Sequence, residues 1–296
     1  MLGYMLSSWL RAIRIRFLLA SVIAVSNGLA IAYWKTGQFD LLYAGLTYAG
    51  VAFLHASVDL LNDYWDYKRG IDAATTRTNF SGGTGVLPDN VLTPKAVYTA
   101  GIMFLILGAL VGAYFVSIRG VMIAAILGFA VVAIYFYSTS IVNSGLGELF
   151  VGIKGAMIVL GTFYVQVGVI DAAAIFIGII VGLLSATVLF VNSFPDFDAD
   201  KSKGRRTLVI LAGKRKAAMA FPFFIIAAYA LIIAGIFFGF TKVHSLASLA
   251  SVPLAVKAIA TLRKDHETTQ GLVPTMGATV AYSRVTGFVL AASVLF

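Results

Sequence analysis

Long apolar stretches follow one another along this chain, separated by short polar intervals. A helix that crosses a membrane needs roughly 20 consecutive apolar residues. Runs of about that length predict nine membrane-spanning helices, at about 17–34, 41–61, 96–116, 120–138, 148–170, 172–194, 217–240, 243–262 and 272–294. Only two polar intervals are long, at about 62–95 and 195–216. We therefore expect an all-α membrane protein whose function lies beside these two loops.

The composition supports a membrane protein. Of the 296 residues, 60% are hydrophobic and 12% are charged, whereas soluble domains carry about 25% charged residues. The absence of cysteine excludes disulfides, thiolate catalysis and zinc sites of the Cys type. A net charge of +9 is compatible with nucleic-acid binding, but the topology of a membrane chain explains it better. No nucleic-acid partner is expected.

The distribution of Lys and Arg predicts the orientation. The N-terminus and the loops after the second, fourth, sixth and eighth helices hold 16 of the 22 basic residues, and the opposite loops hold three. Because basic loops stay in the cytoplasm, the N-terminus and both long loops are predicted to be cytoplasmic. Nine helices then place the C-terminus outside.

Acidic and amide side chains gather at the ends of two of the predicted helices. Positions three, four and seven apart share one helix face. This spacing groups two sets of side chains, Asp59, Asn62, Asp63 and Asp66 at the end of the second helix, and Asn192, Asp196 and Asp200 at the end of the sixth. The matching ends suggest one transmembrane domain built of two related halves, about 1–140 and 141–296.

These clusters are predicted to bind a divalent cation together. Neighbouring carboxylates at a membrane boundary repel each other and lose hydration, and Mg²⁺, which prefers such oxygen ligands, would offset that cost. Six basic residues surround the clusters in the sequence, Lys68, Arg77, Lys201, Lys203, Arg205 and Arg206. This pattern favours a Mg²⁺–diphosphate site over the alternative, in which the charges only anchor the helix ends in the interface.

A diphosphate bound beside apolar helices suits a polyprenyl diphosphate, whose tail would lie among those helices. Ionisation of its allylic C–O bond leaves a carbocation that aromatic faces can stabilise. Tyr135, Phe136 and Tyr137 lie at the predicted cytoplasmic end of the fourth helix and are candidates, although an interfacial aromatic belt is an equal alternative. Glu148 and Lys154, near the fifth helix, are candidates for orienting an acceptor, or alternatively pair with neighbouring side chains.

At the two acidic motifs the sequence resembles the UbiA superfamily of intramembrane prenyltransferases. The matching motifs are Asn-Asp-x-x-Asp at residues 62–66 and Asp-x-x-x-Asp at residues 196–200. Further stretches, including GVLPDNVLTPKAV (85–97) and GLGELFVG (145–152), are similar to the 1,4-dihydroxy-2-naphthoate polyprenyltransferase branch of menaquinone synthesis. The resemblance covers almost the whole chain. It implies a ring of about nine helices around a central cavity, with a cytoplasmic cap formed by the two long loops.

The resemblance also implies roles for individual residues. The metal ligands would be Asn62, Asp66, Asp196 and Asp200, which with Arg14 form the expected catalytic set. The expected substrate-binding residues are Asp63, Lys68, Asp72, Arg77, Tyr135, Tyr137, Lys201, Lys203 and Arg206. Many members carry another Asp where this chain has Gly70, and Asp72 is expected to replace it.

The implied reaction is Mg²⁺-dependent transfer of a polyprenyl group to an aromatic quinone precursor. A lipid alcohol such as geranylgeranylglyceryl phosphate is an alternative acceptor. A cation transporter is the alternative from another class, but transporters bind ions near the bilayer midplane, whereas these acids lie at helix ends.

Overall fold

The computed structural model describes residues 2–296, which form helices and connecting segments with no β-strand among them. In chain order the α-helices are α1 Leu2–Ala12, α2 Leu18–Thr36, α3 Leu41–Lys68, α4 Pro94–Arg119, α5 Val121–Phe136, α6 Gly147–Val167, α7 Ala172–Asn192, α8 Phe197–Ser202, α9 Leu208–Ala212, α10 Lys214–Phe237, α11 Val252–Lys264 and α12 Thr269–Ser293. A π-helical turn, Tyr137–Ile141, extends α5, and a 3₁₀ segment, Val243–Ser251, precedes α11. The all-α prediction is confirmed.

Local side chains determine where several of the long helices begin. Asp40 accepts a hydrogen bond from the backbone N–H of Tyr43 at the start of α3, and Asp171 caps α7 in the same way. Thr93 caps α4 directly before Pro94. Such caps satisfy backbone donors that have no partner within the helix. The starts of these helices are therefore set by capping residues that directly precede the apolar runs.

Eight helices within residues 2–296 are long and apolar enough to cross a membrane. They correspond to the first eight predicted spans. The ninth predicted span coincides with α12, which is helical over 25 residues but is more polar than the others. Thr275, Thr279 and Thr286 of α12 are fully buried, so its polar positions face protein rather than lipid. The number nine stays a prediction.

The helices pack around a core formed by α2, α6, α7, α10, α11 and α12. Phe163, Ile177, Phe221 and Tyr282 are among its fully buried side chains. The outer faces of α4, α5 and α10 instead expose large apolar residues, for example Val121 at 84%. Exposed apolar faces of this kind are expected where lipid replaces water.

Glycine allows the close approach of α6 and α7. A Cβ added at Gly155 would lie 2.8 Å from the Cα of Gly182 on the facing helix. Small residues at such contacts let helix backbones approach in membranes. This contact fixes the position of α7, whose end carries the second acidic cluster.

The two long polar segments lie at the same end of the helices and contact each other. Arg69, directly after α3, donates to the carbonyl oxygen of Lys203 at 2.8 Å and to that of Ser138 at 2.9 Å. Arg11 of α1 donates to the carbonyl oxygen of Thr84 at 2.6 Å. These contacts hold both segments over the ends of α3, α5 and α7.

Candidate active site

The helices enclose a cavity of about 370 Å³. Its walls come largely from α3 to α6 and carry apolar side chains such as Leu54, Ile126 and Phe150. One end is polar and is lined by Asn62, Asp66, Asn192, Asp196 and Asp200. The structure therefore brings both acidic clusters to one end of a single apolar cavity.

Arg205 lies between the two acidic clusters. Its guanidinium donates to Asp66 Oδ1 and, at 3.0 Å, to Asp200 Oδ1. All three side chains are buried, with 10% or less of each exposed. The pKa of Arg205 is raised, because the charges of Asp66 and Asp200 outweigh the lowering effect of burial. A cation thus already occupies the space between the carboxylates.

The Asn62 side chain is held from two sides. Its amide nitrogen donates to Asp66 Oδ2 at 3.0 Å, and its carbonyl oxygen accepts from Ser138 Oγ at 2.8 Å. Ser138 belongs to the π-helical turn that follows α5. That turn therefore fixes which Asn62 atom faces Asp66.

Two oxygens of the second cluster, Asn192 Oδ1 and Asp196 Oδ1, are buried and accept no hydrogen bond. Burial, followed by the charge of Asp200, raises the pKa of Asp196 to about 7. Burial also raises the pKa of Asp200, against the effect of Arg205. Buried oxygens without a donor are costly unless a ligand reaches them.

The donor chemistry of this end of the cavity fits Mg²⁺. Carboxylate and amide oxygens are hard ligands, and Mg²⁺ binds through a few of them while keeping waters. No three acidic or histidine side chains within residues 2–296 converge into a compact metal cluster. The Arg205 guanidinium lies between two of the carboxylates, those of Asp66 and Asp200.

Arg14 lines the cavity and is anchored by Asp63. Its Nη2 donates to Asp63 Oδ1 at 2.7 Å, and Asp63 Oδ2 accepts from the Thr84 hydroxyl. Burial lowers the pKa of Arg14, but Asp63 and Asp59 raise it by more, so the side chain stays charged. Asp63 itself is 1% exposed and does not line the cavity. It positions Arg14 and the first long segment instead of reaching a substrate.

Arg77 and Asp72 lie outside the cavity lining. Arg77 forms a bidentate pair with Asp89, with both distances 2.7 Å, and Arg11 also donates to Asp89. Asp72 is buried, and burial, then the charge of Asp66, raises its pKa to about 8. Its carboxylate packs against Gly83, where a Cβ would lie 2.6 Å from Oδ1. Both residues therefore make their contacts within the long segment that lies over the site, and neither faces the cavity.

The remaining basic candidates are on the surface. Four basic residues predicted to bind the substrate are exposed, and none of them lines the cavity. Lys201 lies over the Phe197 ring at 5.5 Å, and Lys68 lies 5.9 Å from the centre of the Tyr64 ring. The four surface candidates are Lys68, Lys201, Lys203 and Arg206. The structure therefore does not bring them to the acidic clusters.

The two tyrosine candidates have different positions. Tyr137 lines the cavity near its polar end, whereas Tyr135 is 37% exposed and contacts Phe136 edge to face. Residues two apart on a helix point about 200° apart, so the two tyrosine rings lie on opposite sides. Of these two tyrosines, Tyr137 is the one that can present its ring to a molecule in the cavity.

Neither Arg205 nor Ser138 is among the predicted metal ligands or substrate-binding residues, but both lie at the site. The sequence places Arg205 among the surrounding basic residues but does not show that it, and not Arg206, points inward. The backbone turn decides this, since the Arg205 N–H donates to the Asp200 carbonyl at 3.0 Å and folds the side chain back. No sequence signal identifies Ser138, because a π-helical turn has none.

Comparisons with known proteins agree with this geometry. The model of the UbiA prenyltransferase family matches residues 20–294. A 1,4-dihydroxy-2-naphthoate octaprenyltransferase of Bacillus subtilis is 26% identical over 283 residues, covering 94% of this chain and 89% of the relative.

Solved structures share the fold. A UbiA homolog from Archaeoglobus fulgidus bound to GPP and Mg²⁺ superposes with a TM-score of 0.65 at 15% identity, covering 96% of this chain and 99% of the other. A digeranylgeranylglyceryl phosphate synthase has the same TM-score at 18% identity, covering 98% and 99%. With the family match spanning nearly the whole sequence, this integral membrane protein belongs to the UbiA prenyltransferase family.

Proposed function

We propose that the protein transfers a polyprenyl group from a polyprenyl diphosphate to an aromatic quinone precursor, with Mg²⁺ as cofactor. The observation that carries the proposal is the meeting of two acidic motifs at the polar end of an apolar cavity. The diphosphate would bind at the polar end and the isoprenoid among the apolar side chains. The relative from Bacillus subtilis supports a naphthoate as the acceptor.

Asn62, Asp66, Asp196 and Asp200 would hold Mg²⁺, and the free oxygen of Asn192 makes it a further candidate. When bound, the metal neutralises charge on the departing diphosphate. Arg14, at the same end of the cavity, adds a fixed positive charge for that group.

The apolar wall has two roles in this reaction. It excludes water from the carbocation that forms when the allylic C–O bond breaks. The ring faces of Tyr137, Phe129 and Phe150, which line the cavity, stabilise that cation. The acceptor carbon then bonds to the allylic carbon, and the ring restores its aromaticity by losing either a proton or, where that carbon carries the carboxylate, carbon dioxide.

Transfer assays with purified protein test the proposal. Labelled geranylgeranyl diphosphate and Mg²⁺ are incubated with 1,4-dihydroxy-2-naphthoate or with geranylgeranylglyceryl phosphate. We expect prenylated naphthoate, and at least a 100-fold loss of rate in Asp66→Ala and Asp196→Ala, on the scale of removing one electrostatic stabiliser. Asp198→Ala is the matched control, because Asp198 lies in the same motif but its side chain is 87% exposed.

Three outcomes would contradict the proposal. Transfer only to the glyceryl phosphate would favour the lipid-alcohol acceptor. Undiminished transfer in both Asp variants would refute the metal ligands. No transfer to either acceptor, together with cation flux through proteoliposomes, would favour a transporter.

We further propose that the polar end of the cavity faces the cytoplasm, as the distribution of basic residues favours. The chain contains no cysteine, so an Asp198→Cys variant carries a single thiol. An impermeant maleimide should label it in inverted vesicles and not in intact cells. Labelling in intact cells would reverse the orientation.

A further inference from the structure

Lys154 is a charged side chain in the wall of the cavity that the metal and diphosphate do not require. It lies on the face of α6 that also carries Phe150 and Ile158, and all three line the cavity. Among the described residues, no carboxylate lies within 4.0 Å of its ammonium and no hydrogen bond to it is formed. An ammonium in apolar surroundings without a partner is costly. Charged side chains inside membrane segments commonly mark a binding site.

Asp59 is the nearest candidate to neutralise Lys154, but its charge is shared. Its Oδ2 lies 3.4 Å from His55 Nε2, and the other ring nitrogen of His55 is bound to Ser21 Oγ at 2.7 Å. The Asp59 carboxylate also acts on Arg14. Because Arg14 is already paired with Asp63 at 2.7 Å and the Asp59 carboxylate lies against His55, the ammonium of Lys154 leaves a positive charge in this part of the cavity without a close counter-ion.

This positive region lies deeper than the acidic clusters. Asp59 precedes Asp66 by seven residues on α3, which corresponds to about 10 Å along a helix. A diphosphate bound beside Asp66 and Asp200 would place its allylic carbon on the inner side of these carboxylates. The acceptor ring must reach that carbon, so it would lie in the region that Lys154 faces.

Glu148 provides a contrast on the same helix. Its Oε1 accepts from the backbone N–H of Leu208 at 3.1 Å, and the residue does not line the cavity. Glu148 therefore connects α6 to α9. Lys154 has no such partner in the part of the chain that the structure describes, and it is available to a ligand.

We propose that Lys154 binds the carboxylate of the aromatic acceptor and so selects acidic acceptors over neutral ones. The inference rests on the proposed function for the class of acceptor. An ammonium–carboxylate pair in this apolar cavity would both attract the acceptor and orient its ring. It would hold one edge of the ring at a set distance from the allylic carbon. Asp59 competes with the ligand carboxylate for the same ammonium.

Equilibrium binding tests this without turnover. The probes are 1-hydroxy-2-naphthoate and 1-naphthol, which differ by the carboxylate, titrated into the detergent-solubilised full chain by calorimetry. The wild type should bind the naphthoate at least about tenfold more tightly, as expected for a charge-assisted hydrogen bond. Lys154→Met should abolish this difference, and Lys154→Arg should retain most of it.

Asp59→Asn separates a binding role from a structural one. If Asp59 competes for Lys154, this variant should bind the naphthoate about threefold or more tightly, because a nearby negative charge is removed. If Lys154 serves only to pair with Asp59, the variant should lower the melting temperature and leave the affinity unchanged, which would overturn the proposal.

Inorganic pyrophosphate with Mg²⁺ is the second probe. Its affinity should be the same in Lys154→Met as in the wild type. Weaker pyrophosphate binding with an unchanged preference for the naphthoate would assign Lys154 to the diphosphate and overturn the inference. Prenyl transfer to both probes at equal efficiency would refute the selectivity while leaving the proposed function intact. Selective naphthoate binding without any transfer would support the Lys154 site and refute the proposed function.

Discussion

Removing the Arg205 guanidinium should destabilise the ligand-free protein and make its stability depend on Mg²⁺. In Arg205→Ala, Asp66 and Asp200 lose the cation that lies between them. Their side chains are only 7% and 5% exposed, so little water reaches them to replace that cation. Leaving such buried charges without their partner costs about 3–5 kcal/mol.

That cost predicts a measurable shift in thermal unfolding. For a chain of this size, 1 kcal/mol corresponds to about 2–4 °C in Tm. We therefore expect Arg205→Ala to melt at least about 6 °C below the wild type in EDTA. Mg²⁺ should raise its Tm by more than it raises that of the wild type, because the two carboxylates are then free to bind a cation.

The assay is thermal unfolding in detergent, followed by circular dichroism, with and without Mg²⁺. Arg206→Ala is the matched control, since Arg206 is the adjacent basic residue and is exposed. Its Tm should change little in either buffer. An Arg205→Ala protein as stable as the wild type in EDTA, or an equal response to Mg²⁺ in both, would refute the reasoning.

Two further predictions concern the segment over the site and the helix contact behind it. Because the folded-state pKa of Asp72 is raised to about 8, above the unfolded value of about 3.9, the carboxylate destabilises the fold when ionised, and that penalty disappears as the pH falls from about 8 towards 4. Asp72→Asn should therefore raise the Tm at pH 9 and change it little at pH 4, and an equal effect at both would contradict the assignment. Gly155→Leu should abolish the folded yield in detergent, since even a Cβ there meets the backbone of α7 at 2.8 Å. Gly128→Leu, at a position with open space, should retain a normal monodisperse peak in size-exclusion chromatography, and similar peaks for both would refute this reading of the helix contact.

Sequence patterns alone predict the class of fold and the helix ends at which the candidate site lies. Apolar length and capping residues such as Asp40 and Thr93 predict the long helices closely, because both signals are local. The spacing of Asn62, Asp66 and Asp196 also predicts which side chains end at one face of the membrane. These features depend on helix periodicity, which the order of residues specifies directly.

Which of the neighbouring polar residues enter the cavity depends instead on how the helices and loops pack together. Helix spacing groups Asp63 with Asp66, yet Asp63 anchors Arg14 and does not line the cavity, whereas Asp66 does. It also cannot separate Arg205 from Arg206, because a turn after α8 sets their directions. Which side chain faces the cavity depends on contacts between segments far apart in the chain. Rotating a helix end by one residue would turn a different side chain inward. Lys154 shows the same limit, since only the packing of neighbouring helices reveals that its ammonium has no hydrogen-bond or ion-pair partner among residues 2–296.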